Sequence, residues 1–242
     1  MAIYPVDESQ RKAAKVAGLA YLITFAMVVY VNFGIHARLI VHDSAETARN
    51  ILAHEQLFRI SIAGDLIYCA GVVVLLTALY VILKPVSRGL ALLAAFWRLV
   101  WVFLWLQMTL NLFDALRLLS GADYLRAFEV GQTQALAKLY LSTSFDYYYV
   151  ALLFGALAST VCGYLWFKSG YIPKALAAFG VISSAFAVAC TLIFYIFPNF
   201  DRIVNLSWFD TPMGLFDIAL SFWLLFKGLR TPREVDPVKV SV

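Results

Sequence analysis

ISIAGDLIYCAGVVVLLTALYVIL, residues 60–83, carries one charged side chain, Asp65, and is followed at once by Lys84 and Pro85. A helix rises about 1.5 Å per residue, so this run reaches about 36 Å, more than the ~30 Å hydrocarbon core of a bilayer. It shows no sustained alternation of apolar and polar residues, and an isolated strand could not satisfy its backbone polar groups in lipid. The run therefore reads as a transmembrane helix, and Pro85 stops it.

Working outward, five further runs have the same character: residues 16–35, 90–112, 145–167, 175–197 and 212–226. The whole chain agrees. Its 242 residues are 62% hydrophobic and 14% charged, against about 45–50% and about 25% in a soluble domain. So few polar groups cannot cover a water-soluble surface. The formal net charge of +4 is scattered between apolar runs, which excludes a nucleic-acid-binding patch. The expected fold is all-α: a polytopic membrane protein, a bundle of about six transmembrane helices forming one domain over residues 1–230. A polar tail, residues 231–242, is expected to be disordered. Arg11, Lys12 and Lys15 precede the first run as in a signal peptide, but the run is long for a signal core and Gly34–Ala37 is a poor cleavage site, so it reads as a retained helix.

Local punctuation fits these limits. Pro173 and Pro212 suit first helical positions, Asp210 and Thr211 can cap the last helix, and Gly228 suits its C-terminal closure. Asp43, Ser44 and Glu46 resemble a capping box ahead of an amphipathic stretch with Ala48, Ile51 and Leu52. Leu125, Phe128, Gln132, Leu136, Leu139 and Tyr140 give a second amphipathic pattern. Both are expected as short helices on the outer side.

The N-terminus, the turns near residues 84–88 and 168–174, and the C-terminus together hold eleven Lys or Arg against four acids. The opposite loops hold seven against eight. By the positive-inside rule both termini are cytoplasmic and the expected location is the cell membrane.

Ionisable groups inside a span are costly and mark sites by default. Asp65 and Asp217 lie roughly 8 Å below the outer ends of their runs, and Asp146 lies at an outer edge. Gln107, Asn111 and Asp114 share a face of the third run, and Arg59 and Tyr147–Tyr149 stand at a similar level. These groups suggest an outward-facing polar cavity for a small-molecule or lipid ligand. Arg98 is separate, nearer the cytoplasmic end, with Trp101, Val102, Trp105 and Thr109 on its face. It could stack on an indole, snorkel inward or pair with an aspartate, although Asp65 is offset by roughly 10 Å. All eight side chains also fit a plain structural role as ties between helices.

Ala151, Gly155, Ser159 and Gly163 recur every four residues, a pattern that lets another helix approach closely. A neighbour within the chain is favoured, and a homo-oligomer through Gly155, Ser159 and Gly163 is the other reading. His36, His42 and His54 match no metal-ligand spacing. Cys69, Cys162 and Cys190 sit in apolar runs as small hydrophobes. No metal or cofactor is expected, and no nucleophile-elbow, zinc-protease or phosphate-loop motif occurs. Asn205-Leu206-Ser207 is a glycosylation triplet of the kind common by chance.

Several short motifs carry a family resemblance: Ala17-Gly18-Leu19-Ala20-Tyr21-Leu22 after a basic start, Phe58-Arg59 through Gly64-Asp65, Phe96-Trp97-Arg98-Leu99, Ser169-Gly170-Tyr171-Ile172-Pro173, and Trp223-Leu224-Leu225-Phe226-Lys227-Gly228. On these the chain resembles the bacterial integral membrane family DUF4386, a domain of unknown function, over nearly its whole length. The resemblance implies a multi-helix membrane fold and no particular reaction. It also implies an acidic residue ahead of the final tryptophan motif, usually glutamate; here Asp217 stands there.

Three functions fit the sequence. The first is binding or translocation of a small molecule or lipid through the outer polar cavity. The second is a structural or assembly protein whose buried charges hold the bundle together. The third is an intramembrane lipid-modifying enzyme with an aspartate as acid or base; the chain offers it neither a clear nucleophile nor a metal triad, so the balance leans away from an enzyme.

Overall fold

The computed structural model describes residues 5–121, 125, 127–197 and 207–230. The helix α1 runs Glu8–Leu39 with a π-helical stretch at Tyr30–His36, α2 is the short Ser44–Ala53, and α3 is Glu55–Leu83. Then come α4 (Arg88–Leu119), α5 (Val130–Ser169), α6 (Lys174–Ile196) and α7 (Ser207–Phe226). No strand occurs among the described residues. Six of these helices are long and apolar enough to cross a bilayer, and the protein is a multi-pass membrane protein.

Local chemistry sets the ends. Asp7 caps α1 reciprocally: its carboxylate accepts from the Gln10 amide at 2.7 Å, while the Gln10 side chain accepts from the Asp7 amide at 3.0 Å. Gly170 ends α5 with φ 71° and Gly228 follows α7 with φ 68°, left-handed conformations that only glycine adopts cheaply.

The six long helices form a closed ring in chain order. Each packs on its sequence neighbours, and α7 returns to pack on α1. Register pairs show that neighbours run antiparallel. Thr24 and Val31 of α1 meet Gly71 and Gly64 of α3. Tyr68 and Asp65 of α3 bond Trp101 and Trp105 of α4. Arg98 and Asn111 of α4 bond Ser159 and Thr143 of α5. At the α1–α7 seam, Gly18 lets Leu225 and the Ser221 carbonyl close to within what a Cβ would occupy. Both described chain ends and the turns 84–87 and 170–173 lie on one face, called here the terminal face; α2, the end of α4 and the start of α5 lie on the far face.

Apolar clusters close the ring at both of its ends. The terminal half packs Ala14, Ala17, Leu79, Ile82, Trp166, Tyr171 and Leu220. The far end packs Ile35, Leu39, Ile51, Phe58, Leu112, Leu116, Ala137 and Leu141, which joins α2 to four long helices. The Lys138 ammonium donates to the Val41 carbonyl there.

The described helices run past the expected limits: α1 starts at Glu8 and α3 at Glu55, and three further differences bear on the site. The second amphipathic pattern is no separate helix; its residues Gln132, Leu136, Leu139 and Tyr140 open α5, which starts at Val130 and has 40 residues, and Leu125 and Phe128 precede it. α4 likewise continues to Leu119. Hydropathy finds the part of a helix that meets lipid, whereas these extensions bury only the stripe that forms the far-end core. The last helix starts at Ser207, so Pro212 lies inside it and Asp210 and Thr211 are helical and do not cap it. The α2 helix agrees with expectation, with Asp43 accepting from the Glu46 amide at 2.7 Å. The tail 231–242 and Asn205 of the glycosylation triplet lie outside the described residues.

Candidate functional site: a polar cavity inside the ring

Five of the six ring helices contribute to a cavity of about 70 Å³ midway along the bundle. Tyr21 and Thr24 come from α1, Tyr68 from α3, Arg98 and Trp101 from α4, Ser159 from α5, and Asp217 from α7. The volume has room for several waters or one small polar molecule.

Arg98 is 8% exposed. Its Nη2 donates to the Ser159 hydroxyl at 3.0 Å. Tyr21 and Asp217 line the cavity beside Arg98, and Asp217 stands in the field of the guanidinium. Arg98 and Asp217 do not form a direct ion pair: among the described residues the ion pairs are Lys12–Glu8 and Arg59–Glu55, both exposed and both one helical turn apart. The Asp217 Oδ1 atom is buried without a hydrogen-bond partner. An arginine that is buried without an ion pair, beside a carboxylate oxygen with no donor, is an incompletely neutralised polar centre in a low-dielectric setting.

Gly155 makes the site possible. A Cβ at this position would come within 2.0 Å of the Trp101 ring. Without it, Trp101 lies against α5, and its Nε1 donates to the Tyr68 hydroxyl at 3.0 Å. The small-residue stripe on α5 thus faces the chain's own helices: Gly155 meets Trp101, Ser159 meets Arg98, and Gly163 meets Val181 of α6.

One layer toward the far face, Asp65 is 2% exposed and accepts from Trp105 Nε1 at 3.2 Å, while its Oδ2 has no partner. Aromatic rings connect the layers. Tyr68 lies 4.3 Å from Trp105 between centroids, Trp101 5.7 Å from Trp105, and Trp105 5.9 Å from Tyr148. Tyr148 in turn donates to Asp210 at 2.5 Å.

The eight side chains singled out from the sequence therefore do not share one cavity. Arg98 and Asp217 come together. Asp65 is bound to Trp105 in the adjoining layer. Asn111 donates to Thr143 at 3.2 Å near the far end. Gln107 and Asp114 are half-buried, and Asp146 and Arg59 are exposed. Asp217 lies deeper than its sequence placement because α7 begins five residues before Pro212, which is a further ~7.5 Å of helix. It meets Arg98 at the middle of the bundle. Arg98 does not pair with Asp65; among the described residues the arginine stacked on an indole is Arg230, over Trp223.

Tyr21, Tyr68 and Thr24 were not singled out by sequence. Tyr21 stands in the Ala17–Leu22 family motif, but nothing in the sequence marks it as a neighbour of Arg98. Ser159 was legible as a small residue but not as the arginine's acceptor. His36 bonds Ser61 at 2.9 Å, and no cluster of His, Cys, Asp and Glu able to hold a metal occurs among the described residues.

The family model for a domain of unknown function, DUF4386, matches residues 16–228. The chain belongs to this family. An uncharacterised protein of Archaeoglobus fulgidus is 24% identical over 181 residues, covering 73% of this DUF4386 chain and 88% of the archaeal one. No solved structure matches the DUF4386 chain. The matched region takes in the whole cavity, from Tyr21 to Asp217.

Proposed function

We propose that the protein binds a small molecule bearing an anionic group in the cavity inside the ring, with Arg98 as the anchor, and serves as a carrier or receptor for it in the cell membrane. The observation that carries this reading is Arg98 itself: buried at the wall of a cavity, bonded to a neutral serine, with no ion pair. An anion there gains a charge-assisted, bidentate-capable donor. Tyr21, Tyr68 and Thr24 add hydroxyls around it.

Purified protein should melt at a higher temperature in the presence of a small carboxylate, tested with acetate, lactate, succinate and glycine. Binding to the folded state alone adds about 2.7 kcal/mol of stability when the ligand is at 100 times its Kd. Arg98→Gln should lose this shift. Asp217→Asn should enlarge it for acetate, because a nearby negative charge is removed, and diminish it for glycine, whose ammonium group would use the carboxylate. Absence of any shift across the panel, or an equal shift in Arg98→Gln, would reject the reading.

The second reading has its own observation. Arg98, Ser159, Tyr21 and Asp217 link α4, α5, α1 and α7, so the cluster can serve as a tie across the ring. In that case Arg98→Gln lowers stability and no carboxylate affects the wild type. The lipid-modifying alternative draws no support from a particular contact, since Asp217 faces an arginine and Asp65 faces an indole.

A further inference from the structure

Where the ring closes on itself, the terminal face carries a second depression of about 440 Å³. Its walls are Arg11 and Lys15 of α1, Leu224, Leu225 and Phe226 at the end of α7, and Lys227 just beyond. The seam between α1 and α7 is tight one layer deeper, at Gly18 against Leu225. It opens toward the terminal face.

Among the described residues the charges in this groove have no counter-ion. Arg11 and Lys15 are one helical turn apart, a spacing at which like charges repel, and Lys227 adds a third cation from the facing helix. None of the three has an ion pair among the described residues, whereas the adjacent Lys12 bonds Glu8 at 2.8 Å. Arg230 nearby is occupied over the Trp223 ring, 5.2 Å from its centroid.

Below the cations the surface becomes apolar. On α1, Lys15 is followed in steps of four by Leu19 and Ile23, 54% and 43% exposed. On α7, Phe222 and Phe226 are 47% and 76% exposed and stack at 6.1 Å with their planes 8° apart. The end of a membrane-spanning helix pair is the level of the lipid headgroups, and a phosphate there answers several cations at once. Two acyl chains leaving that phosphate would run along the exposed leucine, isoleucine and phenylalanine side chains.

We propose that this groove is a binding site for the headgroup of an anionic phospholipid, which neutralises Arg11, Lys15 and Lys227 and spans the seam between the first and last helices. The site is independent of the Arg98 cavity.

The test is native mass spectrometry of the full chain released from mixed micelles with equimolar phosphatidylglycerol and phosphatidylcholine. The wild type should retain phosphatidylglycerol several-fold over phosphatidylcholine. The variant Arg11→Gln/Lys15→Gln/Lys227→Gln should retain the two equally, with each single substitution giving a partial loss. A control with the same charge change elsewhere on that face, Lys84→Gln/Lys168→Gln/Lys174→Gln, should keep the preference. Equal retention by the wild type, an unchanged preference in the first variant, an equal loss in the control, or full displacement by inorganic phosphate would each overturn the proposal. The wild-type comparison decides the matter even where a variant fails to fold.

Discussion

At Gly155 one missing methyl group decides the shape of the site. The Trp101 ring that fills the space is held by its bond to Tyr68 and by stacking on Trp105, so it cannot swing aside cheaply. Overpacking of this kind costs about 1–3 kcal/mol. Gly155→Ala should therefore lower the melting temperature of the purified protein measurably. Gly131→Ala, also in α5 but with nothing within 4 Å of the added carbon, should be neutral or gain about 0.5–1 kcal/mol from helix propensity. A Gly155→Ala protein as stable as Gly131→Ala would show that Trp101 is not fixed in this way. The sequence makes some of these residues conspicuous without naming their partners. Arg98 stood out because a charge in a span is conspicuous. Gly155 stood out because of its four-residue spacing, yet nothing in the spacing says that tryptophan is what approaches. Tyr21 was illegible, since a tyrosine in an apolar run is unremarkable until the facing helix is known.

Helices reveal their apolar middles more readily than their ends. Six spans were legible because about 20 apolar residues in a row have few other uses. The extra turns of α4, α5 and α7 were hidden, because a helix leaving the hydrocarbon becomes amphipathic and its hydropathy falls. That error of a turn and a half at α7 is what separated Asp217 from Arg98 in the sequence reading. The short α2 was legible through its cap. Replacing a capping aspartate by alanine costs about 0.5–2 kcal/mol, so Asp43→Ala should loosen α2 locally. Amide hydrogen exchange should speed up across residues 44–53, while the melting temperature of the six-helix ring hardly changes. Exchange that rises equally in α3 and α4 would show that α2 does not open on its own.

On the scale of the molecule, both described chain ends and two short turns share the face with the basic excess. We propose that this face is cytoplasmic. In a variant without Cys69, Cys162 and Cys190, a single cysteine at Asn50 should react with a membrane-impermeant maleimide in intact cells. A single cysteine at Lys84 should react only after permeabilisation. The reverse pattern would invert the assignment and place the basic seam groove on the external leaflet. The closed circuit of helices was not visible in the sequence at all. Chain-order neighbours are a fair default for short turns, but the return of α7 to α1 packs Ala14, Ala17 and Gly18 against Leu220, Leu224 and Leu225, segments far apart in the chain.

That circuit has a consequence for how the protein is made. The fourth helix enters the bilayer with its arginine three helices before the aspartate that shares its cavity. A lone arginine at mid-helix costs about 2.5–3.5 kcal/mol during insertion, and the surrounding tryptophan, leucine and phenylalanine of α4 must supply that margin themselves. During this interval the hydroxyls of Tyr21, Thr24 and Tyr68, already synthesised, are the cavity groups that precede the guanidinium; Ser159 follows with the next helix. These hydroxyls are thus the arginine's first company in the membrane, and the aspartate is the last guest to arrive.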